Sequence, residues 1–277
     1  MNKQVRDQAI ALSLTVVTCL GLIGLLWLEI VALNHFTGED ISMHVRVSDI
    51  LIGLTIYLKT SIDFAMYIGR LMEKNTGLKG RIGIEIGSAL GNAAGTFAIL
   101  LIWTFFKEVP WLLAIMIVLA AFVLLRLAED GLEHVDVNNP KYPAPFRLLI
   151  RIFEKSLEKV NGVVSPFLSK VIPSQSLKVE HKKTFIALLI MAFTVPFILG
   201  LDDFAGYVAL FNVVNVFGFA IGVFVGHMIL NIFLYLSPQK TIAVVKNPII
   251  SLIGSVAFVI LAFWGFFEAF KLLFLHH

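Results

Sequence analysis

The sequence predicts an all-α polytopic membrane protein of seven transmembrane helices, arranged as one helix followed by two inverted-topology repeats of three. Three observations predict it. The 277 residues are 58% hydrophobic and 15% charged, with a mean hydropathy of +0.88, whereas a soluble domain is about half apolar and about a quarter charged. The apolar residues fall in runs long enough to cross a bilayer, about 20 residues each, without the alternation of a barrel strand. A pair of short phrases is also written twice in the same order. Asp63-Phe64-Ala65-Met66-Tyr67 returns as Asp203-Phe204-Ala205-Gly206-Tyr207, and Ile86-Gly87 to Gly91-Asn92 returns as Ile221-Gly222 to Gly226-His227.

The first span, 9–33, follows Lys3 and Arg6. It is too long for the apolar core of a signal peptide and lacks a small-residue cleavage site, so it reads as a retained helix. Cys19 is the sole cysteine, which excludes an intrachain disulfide and a thiolate cluster. Span 2, 49–71, carries Lys59 and Asp63 four residues apart, on one face of a regular helix. A charge at mid-membrane costs at least ~2.5 kcal/mol, and pairing reduces that cost. The pair reads either as a packing device or as a cation site, with Asp63 the ligand and Lys59 the counter-charge when the site is empty.

Span 3, 82–106, places Glu85, Ser88, Asn92 and Thr96 at i, i+3, i+7 and i+11, a single polar stripe. Glu85 lies one turn from Arg81, so it reads either as an interfacial group or as part of the site. Span 4, 110–127, ends in Glu129, Asp130, Glu133, His134 and Asp136. That cluster reads as a solvated helix end, with capture of a metal as the sharper alternative.

The long connection 128–183 repeats Phe146, Leu149, Ile150, Phe153, Leu157, Val160 and Val164 at helical spacing, with Arg147, Arg151, Lys155, Glu158 and Lys159 elsewhere. This predicts an amphipathic helix along the cytoplasmic membrane surface, with a regulatory partner site as the alternative.

Span 5, 184–211, gathers Pro196, Gly200, Asp202 and Asp203. Proline removes a ladder donor and glycine permits an unwound turn, so a broken helix with carbonyls open to an ion is expected here. A simple kink with one protonated carboxylate is the plainer reading. Span 6, 216–236, sets His227 and Asn231 four apart. By the repeat, Asn92 matches His227 and Thr96 matches Asn231. A lone membrane histidine packs or handles protons as readily as it binds metal. Glycines 87, 91 and 95, and 218, 222 and 226, predict close helix approach. Span 7 is 249–272.

Charge placement sets the orientation. With the N-terminus in the cytoplasm, 18 of the 22 lysines and arginines are cytoplasmic and three are outside, so the C-terminus is outside. Trp27, Trp103, Trp111 and Trp264 fall near outer span ends, as an aromatic belt does. The chain divides into 1–48 (first helix and outer loop), 49–128 (repeat one), 129–183 (cytoplasmic amphipathic loop) and 184–277 (repeat two). Such repeats place ion sites near the midplane at their interface.

Thr60-Ser61-Ile62-Asp63, then Ile86-Gly87 and Gly91, then Leu199-Gly200-Leu201-Asp202-Asp203 resemble the cadmium-resistance (CadD-like) branch of the LysE superfamily, to which TerC-like proteins and manganese exporters also belong. The resemblance covers about 50–128 and 184–236. It implies inverted three-helix repeats and export of cations or small metabolites through intramembrane acids. The first span, the long insert and the doubled Asp202-Asp203 depart from the pattern. No cysteine lies near the site, and soft cadmium favours thiolate, so the ion is expected to prefer oxygen, as manganese, calcium and magnesium do.

These readings converge on a secondary transporter, exporting a divalent cation by alternating access, with proton exchange. Asp63, Asp203, Asp202, Asn92 and His227 are the expected metal ligands, and Lys59 and Glu85 the coupling or counter-charge groups. The cation is the cargo; no cofactor is expected. The alternatives are an exporter of an amino acid or other small organic solute, with Lys59 binding its carboxylate, and an intramembrane enzyme acting on a lipid headgroup. Walker, dinucleotide, zincin and nucleophile-elbow motifs do not occur in the sequence, so no enzyme is expected. Expected partners are the bilayer, the metal ion or solute, and a second copy in a homodimer, with no nucleic acid. The setting is a bacterial-type inner (plasma) membrane.

Overall fold

The computed structural model describes residues 3–37, 41–75, 77–133, 142–171, 184–211, 214–245 and 247–274. Within these ranges it leaves out the side chains of 3–5, 7–8, 11, 37, 133, 163–171, 199–206, 209 and 245. The described residues are mostly helical, with no strand among them. The helices are α1 (Lys3–Thr37), α2 (Val47–Thr60), α3 (Ile62–Lys74), α4 (Leu78–Phe106), α5 (Pro110–Glu133), α6 (Ala144–Val171), α7 (Phe185–Tyr207), α8 (Val216–Leu236), α9 (Pro238–Val245) and α10 (Pro248–Phe274). Five contain stretches long and apolar enough to cross a membrane: Leu12–Phe36, Leu78–Phe106, Pro110–Leu132, Val216–Leu236 and Pro248–Phe274. The chain is an integral membrane protein. Its exposed aliphatics, such as Leu20, Leu28, Ile253 and Ile260, form the lipid-facing surface of these helices.

Span 2 is not a straight helix. It is bent by 64° between α2 and α3, and Ser61 caps one helix and opens the other. The adjoining Thr60 hydroxyl donates back to the Tyr57 carbonyl at 3.1 Å, and such hydroxyl back-bonds bend helices. Lys59 and Asp63 lie on the two sides of this bend, in α2 and α3. The expected break in span 5 is absent from the backbone: α7 runs through Pro196 to Tyr207. One proline removes one ladder donor, and packing against a neighbouring helix supports the rest.

The residues form two compact units. The first comprises Met1–Thr104, Leu177–Phe204 and Phe211–Ala243. Here α2 lies along α8 and α4 lies along α7, both through glycine. A Cβ at Gly222 would collide with the Ile50 carbonyl, and one at Gly87 with the Leu189 carbonyl. One turn on, Gly226 faces Leu54 and Tyr57 while Gly91 faces Phe193. Both pairs of helices therefore run parallel. The α1 helix covers α8 with a single stripe, Thr15, Cys19, Leu22, Leu26, Ile30 and Leu33, each less than 9% exposed.

The second unit comprises Phe105–Ser176, Ala205–Leu210 and Val244–His277. Its centre is the α5–α10 pair, antiparallel because Phe122 meets Phe266 at 5.1 Å while Gly131 meets Ser255. The predicted amphipathic helix is α6, which docks on α5: Asn161 Nδ2 donates to the Leu125 carbonyl at 3.1 Å and to Glu129 Oε2 at 2.5 Å. Glu129 is thereby a docking residue. Of the remaining cluster, the Glu133 side chain, His134 and Asp136 lie outside the described residues. Trp27, Trp111 and Trp264 are exposed as belt residues are, but Trp103 is buried and packs edge-on against Phe211 at 5.4 Å.

A candidate buried polar site

The polar stripe of α4 is turned inward. Glu85 and Asn92 are each 4% exposed, and Ser88 and Thr96 are fully buried. Glu85 is therefore enclosed by protein, whatever its depth in the bilayer. Arg81, one turn earlier, is committed elsewhere: Nη1 donates to the Tyr235 carbonyl at 2.9 Å and the guanidinium lies 4.7 Å from the Tyr235 ring centre.

Asn231 of α8 joins the stripe to His227. Its Nδ2 lies 3.3 Å from Glu85 Oε1, 3.2 Å from Ser88 Oγ and 2.9 Å from His227 Nε2. The Ser88 hydroxyl donates to the Glu85 carbonyl, leaving its lone pairs for Asn231. On the other side of the ring, His227 Nδ1 is 2.7 Å from the Tyr57 hydroxyl. With Nε2 accepting from the amide, Nδ1 carries the ring proton and donates to Tyr57. The Glu85 carboxylate also takes a hydrogen bond from Thr15 of α1. The result is one continuous chain, Thr15–Glu85–Asn231–His227–Tyr57, contributed by four helices. Beside it is a cavity with room for about one water, lined by Thr15, Thr18, Cys19, Glu85, Phe224 and His227 among others.

The bend in span 2 wraps around His227. Tyr57, before the bend, and Phe64, after it, both touch the imidazole, with ring centres at 5.8 and 5.1 Å. Gly226 admits Tyr57 to this position.

The structure therefore brings together two of the predicted site residues, Glu85 and His227. Asn92 is buried on the same face of α4, and its Nδ2 has no hydrogen-bond partner among the described residues. Asp63 is exposed in the first turn of α3, on a face it shares with the exposed Arg70 and Lys74. Lys59 is half-buried in the last turn of α2. The side chains of Asp202 and Asp203 are outside the described residues. Their backbone is in α7, parallel to α4; Asp203 is ten residues past Phe193, and Glu85 six before Gly91. The two backbones are thus roughly 24 Å apart along the axes at about 1.5 Å per residue. Among the described residues no three of the His, Cys, Asp and Glu side chains cluster as metal ligands do.

Tyr57 and Thr15 escaped the sequence reading. Asp49, Gly53 and Tyr57 are four apart and buried, a spacing that marks the packed face of α2. Thr15 and Cys19 likewise open the stripe that continues through Leu22 and Leu26.

No family model matches this chain, and no curated protein and no solved structure is significantly similar to it.

Proposed function

We propose that this chain is a secondary transporter that exchanges a small cation, divalent in our reading, for protons and exports it from the cytoplasm. The observation that carries the proposal is Glu85: a carboxylate 4% exposed on a membrane helix, held by the neutral Thr15 and Asn231, with no cationic side chain paired to it among the described residues. An uncompensated charge at membrane depth is costly. A proton or a bound cation removes that cost, and competition between the two for one carboxylate is the elementary step of exchange.

Asn231 and His227 extend that step. With Glu85 ionised, the Asn231 amide turns its N–H groups towards Glu85 and His227 Nε2. With Glu85 protonated, the flipped amide oxygen accepts from the Glu85 hydroxyl and from Nε2–H, and the Tyr57 hydroxyl then donates to Nδ1. Proton loading of Glu85 is thereby linked to the histidine tautomer on the next helix.

The inverted repeat belongs to the same reading. Gly222 and Gly226 of α8 meet Ile50 and Leu54 of α2, as Gly87 and Gly91 of α4 meet Leu189 and Phe193 of α7. The partner positions advance by four in both copies, as two related helix pairs require. Asp63, on the charged exposed face of α3, serves as the cytoplasmic entry acid, with Lys59 as counter-charge. Asp202 and Asp203 stand at the other end as exit acids. The family resemblance, the plasma-membrane location and the cytoplasmic N-terminus are part of the proposal.

The test is transport in proteoliposomes under an imposed pH gradient, with a panel of manganese, calcium, magnesium and cadmium. Metal flux coupled to opposite proton flux is expected, and Glu85→Gln should remove both, while Asp63→Asn should slow flux and leave its proton coupling. Coupled flux at the wild-type level in Glu85→Gln would dismiss Glu85 as the shared site. Movement of an amino acid and of no metal would replace the cargo.

A further inference from the structure

The second unit carries a surface that the transport reading does not use. Helix α6 has two apolar faces, where its sequence pattern shows one. Ile150 and Leu157 are 1% and 5% exposed, and with Asn161 at 5% they form the face docked on α5. Leu149 and Val160, counted in the same stripe by their spacing, are 53% and 44% exposed instead. They adjoin Leu148 and Ile152, at 57% and 58%. At about 100° per residue, this second strip lies on the side of α6 away from α5.

A basic row borders it. Arg147, Arg151, Lys155 and Lys159 are spaced four apart along the helix, and the last three are exposed. The acids Glu154 and Glu158 fall between the basic row and the docked face, not on the apolar strip. Moving around the helix away from α5, the acids come first, Arg151 and Lys155 next, and Lys159 falls beside Leu148 and Ile152 on the aliphatic strip. A helix whose outer side met only water would have no reason to expose four aliphatics beside a row of cations. A helix lying in the headgroup layer has both reasons: the aliphatics enter the acyl boundary, and the lysine and arginine stems reach up to the phosphates.

We infer that α6 is a membrane-surface helix that binds anionic phospholipid through Arg151, Lys155 and Lys159, with Leu148, Leu149, Ile152 and Val160 inserted beside them. Charge complementarity selects the lipid: a row of cations with no acid on the inserted side matches phosphatidylglycerol-type headgroups and gains little from zwitterionic ones. The docked face ties this contact to α5 through Asn161 and Glu129. The inference is independent of the transport proposal.

Two measurements on the full-length protein test it. In the first, delipidated protein in detergent is titrated with phosphatidylglycerol and with phosphatidylcholine, and retained lipid is counted by native mass spectrometry. Phosphatidylglycerol should be preferred, and Arg151→Gln/Lys155→Gln/Lys159→Gln should lower that preference by about a hundredfold; equal retention by the variant and the parent overturns the inference. In the second, a spin label at Ile152→Cys, on a Cys19→Ser background, is read in vesicles of three parts phosphatidylcholine to one part phosphatidylglycerol. Relaxation by oxygen with protection from a water-soluble nickel chelate is expected. Free access of the chelate overturns the inference and points to a soluble partner, because α6 then stands in water. The four positions substituted on α6 are exposed, and an unchanged melting temperature checks that the fold survives these changes and that of the buried Cys19.

Discussion

An amide nitrogen carries two hydrogens, and Asn231 directs its own at three acceptors. The shortest contact, to His227 Nε2 at 2.9 Å, takes one; Glu85 Oε1 and Ser88 Oγ share the other. The Asn231 oxygen is buried and has no partner among the described residues, so turning the amide over would leave two donors bare in place of one acceptor while Glu85 is ionised. Asn231 is therefore the hub of the buried chain, whereas Tyr57 meets it at one imidazole nitrogen. Removing a hub leaves several buried acceptors unsatisfied, at about 1–3 kcal/mol for each group stranded. Removing the Tyr57 hydroxyl breaks its bond to His227 Nδ1, and a typical hydrogen bond is worth about 0.5–1.5 kcal/mol. Asn231→Leu should accordingly destabilise the protein by two or more times as much as Tyr57→Phe, read from unfolding in bicelles. Equal losses would mean that the carboxylate and imidazole find other partners.

At the scale of the helix, spacing read from the chain located the elements well and the site in part. Glu85, Ser88, Asn92 and Thr96 share a buried face of α4 because 3.6-residue periodicity is a local property. The close approach at Gly87, Gly91, Gly222 and Gly226 was legible for the same reason. Burial is not local. Asp63 and Glu85 both sit in apolar sequence, yet Asp63 lies on the charged outer face of α3, while Glu85 is enclosed by residues from α1 and α8. Neither the 64° bend at Ser61 nor the continuity of α7 through Pro196 could be read from composition. Both depend on what packs against the helix, and α4 and α8 supply that packing. The glycine contacts make a second prediction. A methyl at Gly222 meets backbone, the Ile50 carbonyl, and cannot be absorbed by a rotamer change, so Gly222→Ala should cost about 1–3 kcal/mol. Gly21, on the lipid side of α1, has nothing within 4 Å of the same position. Gly21→Ala should be neutral or stabilising, by up to about 1 kcal/mol, since alanine is the better helix former. Equal effects of the two substitutions in a bicelle unfolding assay would contradict the packed α2–α8 contact.

At the scale of the whole chain, helix direction constrains how often it crosses the bilayer. Within the first unit α2 and α8 run parallel, as do α4 and α7, while Phe97 meets Phe224 and Ser88 meets Asn231, so α4 and α8 are antiparallel. Suppose that α2 and α3 together re-entered and returned to the side they left. Then α4, α5, α7 and α8, crossing in turn, would bring α8 back antiparallel to α2. The observed parallel pair instead favours the bent α2–α3 as one complete crossing, a sixth beside the five long apolar helices, and the seven we propose require α7 as well. In that proposal odd parity would put the termini on opposite sides, with α6 and its lysine- and arginine-rich flanks in the cytoplasm. The check is labelling with a membrane-impermeant maleimide on a Cys19→Ser background. Glu108 and Lys155 are both exposed and lie before and after α5, so one crossing separates them. In intact cells Glu108→Cys should label and Lys155→Cys should not, and in inverted vesicles the pattern should exchange. Labelling of both positions from one side would remove α5 as a crossing, and with it the odd parity on which the inverted repeat depends.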